Sequence, residues 1–308
     1  MNKLLNFALP PLSLILISIL TLPLLLFKPL MYIRKLVFKE NVAKKVILIT
    51  GAASGIGEQV AYEYARRGAK LSLVDIRKEN LVTVADKARS LGSPDVIIIG
   101  ADVSKVQDCK RFVDETVNFF GRLDHLVNNA GISGKPVKVE YLRDVSELSP
   151  VMDINFWGAV YGTLYAIPHL KINKGRIIVI ASGCGWFPLP RISIYNASKA
   201  AVINFFETLR MELGWAIGIT IAMPGLIKTN LTLKAIKSEP AMGRIPMGSA
   251  DECAKDIVES ACRGDMYVTN PSWVRVLFPW KLLFPQLIEW AINLLLELSQ
   301  DSSTMKTN

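Results

Sequence analysis

Val46-Ile47-Leu48-Ile49-Thr50-Gly51-Ala52-Ala53-Ser54-Gly55-Ile56-Gly57 decides the fold. Its first five residues are a short apolar run, the pattern of a parallel strand buried on both faces. The glycines form a turn. Glu58 to Arg67 then reads as a helix, with Val60, Ala61, Tyr64 and Ala65 as apolar positions and Gly68 as its stop. Leu71-Ser72-Leu73-Val74-Asp75 is the next strand, which completes a βαβ unit. The glycine spacing is T-G-x-x-x-G-x-G. Residues without a Cβ let the backbone approach a pyrophosphate, and the first N–H groups of the helix carry the positive end of its dipole. Gly51, Ser54, Gly55, Ile56 and Gly57 are therefore the candidate phosphate-side residues. Asp75 ends the second strand, where a carboxylate accepts from ribose hydroxyls and repels a 2′-phosphate. That favours NAD, while Arg77 and Lys78 beside it keep NADP open.

The same rhythm continues outward. Val96-Ile97-Ile98-Ile99 leads to Ala101-Asp102-Val103, and His125-Leu126-Val127 to Asn128-Asn129-Ala130-Gly131. Gly175-Arg176-Ile177-Ile178-Val179-Ile180 leads to Ala181-Ser182, and Ile219-Thr220-Ile221-Ala222-Met223 to Pro224-Gly225. Small or polar residues follow every strand, which predicts an α/β fold with a doubly wound parallel sheet and a ligand at its C-terminal edge. Tyr195 and Lys199 share one helix face at i and i+4. An ammonium beside a phenol favours the phenolate and lowers the tyrosine pKa from ~10. Such a phenol can take a proton from an alcohol or return one to a ketone.

The 308 residues carry a net charge of +9 and 51% hydrophobic residues, with a mean hydropathy of +0.31. No basic run interleaved with aromatics accompanies the charge, so nucleic acid is not expected as a partner. From Leu4 to Phe27 no residue is charged, and Lys28, Arg34, Lys35, Lys39, Lys44 and Lys45 follow. Basic residues beside an apolar stretch attract anionic head groups and retain their side in the cytoplasm. Residues 1–40 are therefore expected to anchor the chain to a membrane or lipid droplet, with the catalytic domain facing the cytosol. No small-residue cleavage site follows the apolar run, which argues against a removed signal peptide. Pro10, Pro11 and Pro23 favour a segment that dips into one leaflet, whereas tolerance of proline within membranes keeps a spanning anchor open. The sequons Asn196-Ala197-Ser198 and Asn230-Leu231-Thr232 lie close to the candidate site, where a glycan would be bulky, in keeping with a cytosolic domain. Cys109, Cys184, Cys253 and Cys262 lack C-x-x-C spacing, and His125 and His169 lack a partnered motif. Neither a metal site nor a disulfide framework is expected.

Taken together, the glycine turn, Asn128-Asn129-Ala130-Gly131, Asn155, Ser182, Tyr195/Lys199 and Pro224-Gly225 resemble the short-chain dehydrogenase/reductase family from Lys45 to Asn270. With the proline-bearing apolar segment and Ser193-Ile194-Tyr195-Asn196-Ala197-Ser198-Lys199, the chain is most similar to the family's plant steroleosin and 11-beta-hydroxysteroid dehydrogenase-like branch. The resemblance implies a Rossmann-like catalytic domain over 41–270 and a nicotinamide cofactor. It makes Tyr195 the general acid/base, Lys199 its activator and ribose ligand, Ser182 the holder of the substrate oxygen, and Asn155 the holder of a water. It places adenine against Asp102 and Val103, a ribose near Asn129, Ala130 and Gly131, and the nicotinamide near Pro224, Gly225, Ile227 and Thr229. The steroleosins carry a small residue and Arg-Arg where this chain has Asp75-Ile76-Arg77, so their NADP preference is not carried over.

Residues 271–308 hold Trp273, Trp280 and a Leu-rich run to Leu298, divided by Pro279 and Pro285. They are expected as a membrane-interface or dimer-packing extension, with a helix from Ile288 to Leu298 that borders a substrate entrance. The whole reads as an alcohol dehydrogenase for a steroid, triterpenoid or similar lipophile, acting as a homodimer. A droplet coat protein that keeps the fold, and an NADPH-dependent retinoid or acyl reductase, are the rival readings. Lys135–Val145 and Thr229–Pro246 are the loops expected to set the substrate.

Overall fold

The computed structural model describes residues 2–37, 39–144, 146 and 148–297. Strand β1 (Val46–Thr50) is buried along its length. Ile47 and Ile49 enter one apolar cluster, Val46 and Leu48 the opposite one. This is the alternation of a strand covered on both faces. The other strands are β2 (Lys70–Asp75), β3 (Val96–Gly100), β4 (His125–Asn128), β5 (Arg176–Ile180), β6 (Gly218–Pro224) and β7 (Tyr267–Asn270). They form one seven-stranded sheet in the order β3-β2-β1-β4-β5-β6-β7, and every pairing is parallel.

Helices α2 (Gly55–Arg66), α3 (Lys78–Ser90) and α9 (Ala250–Arg263) pack on one face through Val60, Tyr64, Leu81, Ile257 and their neighbours. On the other face lie α4 (Val106–Phe120), α6 (Gly158–Ile172) and α7 (Ser193–Leu213), with Phe112, Leu170 and Phe206 fully buried. The strand order reverses direction between β1 and β4. A crevice at such a switch point opens at the C-terminal strand ends, here Thr50 and Asn128. The expected strands are present within one residue at each end. The sixfold repeat of strand, small or polar residue and helical segment makes the doubly wound fold the one that buries every apolar run.

The chain divides into two units, Met1–Glu40 and Asn41–Asn308. In the first, α1 (Asn2–Val37) runs unbroken through Pro10, Pro11, Pro23 and Pro29. Of the two readings left open, interruption at the prolines does not occur. Each proline removes one donor only, and the surrounding Leu- and Ile-rich turns keep their own bonds. Ser13 Oγ donates to the Pro10 carbonyl at 2.8 Å and Thr21 Oγ1 to that of Ile17 at 2.8 Å. Among the described residues, no helix is long and apolar enough to cross a membrane.

At the other end, α10 (Val274–Leu283) contains Pro279, and α11 (Pro285–Glu297) begins at Pro285. Pro285 divides the extension as expected, because proline suits the first turn of a helix. Pro279 does not divide it. Residues 298–308 and Val145 lie outside the described residues.

Candidate functional site

The glycine turn is held by Asn129. Its Nδ2 donates to the carbonyls of Thr50 and Gly51, both at 2.9 Å. Thr50 Oγ1 accepts the backbone N–H of Asn129 at 3.0 Å and of Ala130 at 3.2 Å. Two neighbouring strand ends are thereby locked across the switch point. Gly57, a candidate phosphate-side residue, packs against this clamp. A Cβ there would sit 2.3 Å from both Asn129 Nδ2 and the Gly51 oxygen, and Gly57 is buried away from the cleft. Gly51 and Gly55 hold φ of +65°, the left-handed region that favours glycine. Ser54 caps α2 in an extended conformation with no side-chain capping bond, and Gly55 and Ile56 line the cleft. The first turn of α2 thus keeps its donors for an anion, which fits a pyrophosphate.

The chemistry-bearing residues come from β5, α7 and the turn between α5 (Ser149–Met152) and α6. Ser182 follows β5 and caps a short 3-10 turn, accepting the Cys184 N–H at 3.1 Å. Tyr195 lies in the first turn of α7 and is partly open to the cleft, while Lys199, one turn on, is buried. Lys199 Nζ donates to the Ile180 carbonyl at 2.9 Å and lies 5.8 Å from the centre of the Tyr195 ring. Asn155 sits in a π-turn, Asp153–Trp157, a widened helical turn that recurs at functional sites. Its Oδ1 accepts the Ile132 N–H at 2.8 Å, and its Nδ2 donates to the Ile132 carbonyl at 2.9 Å and to Ser198 Oγ at 3.0 Å. A Cβ on Gly131 would lie 3.1 Å from Asn155 Oδ1 and 3.5 Å from Lys199 Nζ. Asn155 therefore stands beside Lys199, yet it does not line the cleft as the other named residues do.

Electrostatics differ from the expectation drawn from spacing. Burial pushes the Tyr195 phenol above its ordinary value; Cys184 adds to the rise, and a hydrogen bond with Ser182 opposes it. Burial also pulls Lys199 down, to about 8, against a smaller upward pull from Cys184. The i,i+4 rule supplies the ammonium but not the desolvation, which dominates both groups in the ligand-free protein. Cys184 is itself raised by burial, with Ser182 and Lys199 opposing.

One cleft of about 1110 Å³ joins these parts. It is lined by Gly51, Ser54, Gly55, Ile56, Asp75, Arg77, Asp102 and Val103 on the adenosine side. Asn129, Ala130, Gly131, Ser182, Tyr195, Lys199, Pro224, Gly225, Ile227 and Thr229 line its middle. Beyond them the wall becomes apolar. Leu231 and Ala235 of α8 (Asn230–Ser238), Met242 of the 3-10 turn Pro240–Arg244, Leu277 of α10, and Ile288 and Ile292 of α11 form it. The volume exceeds the ~300–1,000 Å³ of an ordinary small-molecule site, as room for a dinucleotide and a second molecule requires. The sequence bracketed much of this wall, through the Thr229–Pro246 loop and the helix from Ile288, but gave a wall role to no individual side chain within it. Their apolar spacing is the same as that of core residues, so no local signal separates them.

The short chain dehydrogenase family profile matches residues 45–240. The chain belongs to that family. Among plant members, the 11-beta-hydroxysteroid dehydrogenase of Pinus massoniana is 47% identical over 307 residues, covering 96% of this chain and 86% of the relative. The 11-beta-hydroxysteroid dehydrogenase-like 4A of Arabidopsis thaliana is 50% identical over 293 residues, 93% of this chain and 96% of the relative. A family member from Burkholderia phymatum, solved in complex with NAD, superimposes with a TM-score of 0.72 at 25% identity over 80% of this chain and 96% of its own. The 3-ketoacyl-(acyl-carrier-protein) reductase of Brucella melitensis, complexed with NADH, gives 0.65 at 30% identity over 74% of this chain and 98% of its own. The family member described here is an NAD(P)-dependent oxidoreductase.

Proposed function

We propose that this dehydrogenase interconverts a secondary alcohol and a ketone on a steroid, triterpenoid or similar lipophile, with NAD favoured over NADP. The observation that carries the reading is the single cleft that passes from Asp75, along the glycine turn, to Ser182, Tyr195 and Lys199, and on into the apolar wall of α8, α10 and α11. The names of the plant relatives support the steroid class.

When bound, the nicotinamide supplies the hydride acceptor or donor. Tyr195 moves the proton at the substrate oxygen. Ser182 hydrogen-bonds the same oxygen and holds developing charge. Lys199 supplies positive charge beside Tyr195 and would hydrogen-bond the nicotinamide ribose. Asn155 braces the Ile132 backbone beside Lys199 and would hold a water through which Lys199 exchanges its proton with solvent. Apolar residues around the wall keep solvent from the reacting carbon.

The same proposal places the enzyme on a lipid droplet or endoplasmic reticulum membrane, facing the cytosol. The apolar Leu4–Phe27 stretch and the exposed Trp280, Leu283, Phe284 and Trp290 of the α10–α11 pair support it. Tryptophan at an apolar edge suits the head-group level. A homodimer formed through α6 and α7 accompanies this reading; Leu164, Ile172 and Met211 are exposed there.

The test is Tyr195→Phe in the purified full-length protein, assayed with NAD or NADP across a panel of sterol and triterpenoid alcohols. Turnover is expected to fall by ~10²–10⁴ while cofactor affinity is kept. Persistent turnover would refute the proton assignment. An unchanged substrate panel without any lipophile turned over would refute the substrate class.

A further inference from the structure

The two loops expected to set the substrate meet at one residue behind the cleft wall. Arg191 lies four residues before Tyr195, in the segment that leads into α7. Its carbonyl accepts the Val137 N–H at 2.8 Å, which ties in the Lys135–Val145 loop. Its Nη1 donates to Glu239 Oε2. Glu239 stands at the junction of α8 and the 3-10 turn Pro240–Arg244, inside the Thr229–Pro246 loop. The Arg191 segment is itself stapled to α7, because Asn196 Nδ2 donates to the Leu189 carbonyl at 2.7 Å. Neither Arg191 nor Glu239 lines the cleft, but Pro136, Leu189, Ile192, Ser238 and Met242 beside these ties do.

Arg191 also holds φ of +68°. That left-handed conformation is unfavourable for most residues with a Cβ and easy for glycine. A backbone persists there only where its surroundings fix it, and such positions cluster at ligand clamps and active sites. What arginine adds over glycine is a guanidinium, and here an acid receives it. The Arg191 and Glu239 side chains are 29% and 14% exposed, against 43% and 47% for Arg111 and Glu115 on α4. The pair is thus less screened than an ordinary surface pair.

We infer that Arg191 is a positioning residue for substrate selection, clasping Glu239 so that the α8 loop stands as a fixed wall, shaped for a bulky lipophile before one arrives. The inference rests on the lipophile reading of the substrate and names a residue that enforces it. Backbone holds one loop and side chain the other, so loss of the guanidinium frees the α8 loop alone. A large ligand must then order that loop as it binds, and its apparent affinity falls by the fraction of molecules in the closed form. A small alcohol that reaches only Ser182 and Tyr195 does not need the wall.

Steady-state kinetics of the full-length protein with saturating NAD tests this. Corticosterone serves as the 11-beta-hydroxysteroid, the class named in the plant relatives, and cyclohexanol as the small alcohol. Arg191→Asn removes the guanidinium and tolerates the left-handed backbone; Glu239→Gln removes the charge and keeps the shape. Each is expected to raise KM for corticosterone ~10-fold, the low end for a hydrogen bond to a charged group. The kcat and the cyclohexanol KM stay near wild type. Arg191→Glu repels Glu239 and raises KM further, and pairing it with Glu239→Arg restores it. Amide hydrogen exchange of the ligand-free proteins reads the clasp without turnover. Residues 229–246 should exchange faster in both single variants and regain protection in the charge-reversed pair, while residues 135–144 keep theirs. Unchanged exchange at 229–246, an equal rise in KM for both alcohols, or no rescue by charge reversal would overturn the inference. If wild type oxidised cyclohexanol but not corticosterone, the steroid reading would have failed, and hydrogen exchange would decide the clasp alone.

Discussion

Replacing Lys199 by methionine should make this protein more stable at neutral pH and less stable at alkaline pH. Lys199 is buried and held at about 8, against 10.5 for a free lysine. That difference corresponds to about 3 kcal/mol of preference for the neutral amine. Between pH 8 and 10.5 the unfolded chain binds a proton that the folded chain does not. Stability from this group therefore rises with pH across that window, and below pH 8 the full penalty acts against the fold. Methionine has a similar length and no charge to bury. Its cost is the hydrogen bond from Nζ to the Ile180 carbonyl, about 1 kcal/mol. The two contributions leave the variant about 2 kcal/mol more stable than wild type at pH 7 and about 1 kcal/mol less stable by pH 10.5. Urea unfolding of both ligand-free proteins across pH 7 to 10.5 measures the difference, and titrations elsewhere cancel. The variant should be inactive throughout. A stability difference that stays constant across the window would refute the assignment of a desolvated lysine.

Three further outcomes follow from contacts around the site. Gly57→Ala forces a Cβ to within 2.3 Å of Asn129 Nδ2 and the Gly51 oxygen; overpacking together with a broken clamp bond should lower unfolding free energy by about 2–4 kcal/mol and abolish NADH binding. Gly121→Ala is its control, with nothing within 4 Å of the new Cβ, and should cost only the ~1–2 kcal/mol of a left-handed residue. Asn155→Ala leaves the Ile132 N–H and carbonyl and the Ser198 hydroxyl without their partner; a loss of about 3 kcal/mol in denaturant titration is expected, with a larger fall in kcat than in cofactor affinity. The double change Trp280→Ser, Leu283→Ser removes exposed side chains, so stability should stay within ~0.5 kcal/mol while co-flotation with anionic liposomes drops; unchanged flotation would count against the α10–α11 surface as a lipid contact.

The strands of the sheet were legible because each is a short apolar run that ends in a small or polar residue, and only a covered parallel sheet buries such runs from both sides. β7 was not read. Tyr267–Asn270 is four residues long, half-buried at the sheet edge except for Thr269, and too short to carry a period. The prolines of α1 left an interrupted and a continuous segment equally open, because the local penalty of each and the intact turns around it pull in opposite directions; the helix runs through all four. In the site, identity was legible and environment was not. Tyr195 and Lys199 announce themselves by spacing, but the burial that pushes them in opposite directions has no local sequence signal. Asn155 was found by motif, whereas the π-turn that aims it at Ile132 has no sequence signature.

Asp75 and Arg77 show why a motif read one residue at a time gives an incomplete answer. An acid at the end of β2 carries a definite meaning for a ribose, and a base two residues later carries the opposite meaning for a phosphate. Spacing cannot say whether the two act separately or on each other, since residues at i and i+2 past a strand end can point apart or together. Here the chain turns directly into α3, and the N–H of Arg77 binds the same oxygen as its own Nε. That turn fixes the backbone of Arg77 against Asp75 and leaves only the guanidinium free to move. With a nicotinamide dinucleotide bound as proposed, selectivity would depend on the equilibrium of one exposed arm as well as on the acid. It should be responsive to salt, since screening weakens a dianion–guanidinium contact more than a ribose–carboxylate hydrogen bond. Raising ionic strength is therefore expected to lower the ratio of NADH to NADPH dissociation constants in wild type and to leave that ratio nearly constant in Arg77→Gln. A ratio that is equally salt-dependent in both proteins would place the discriminating charge somewhere other than Arg77.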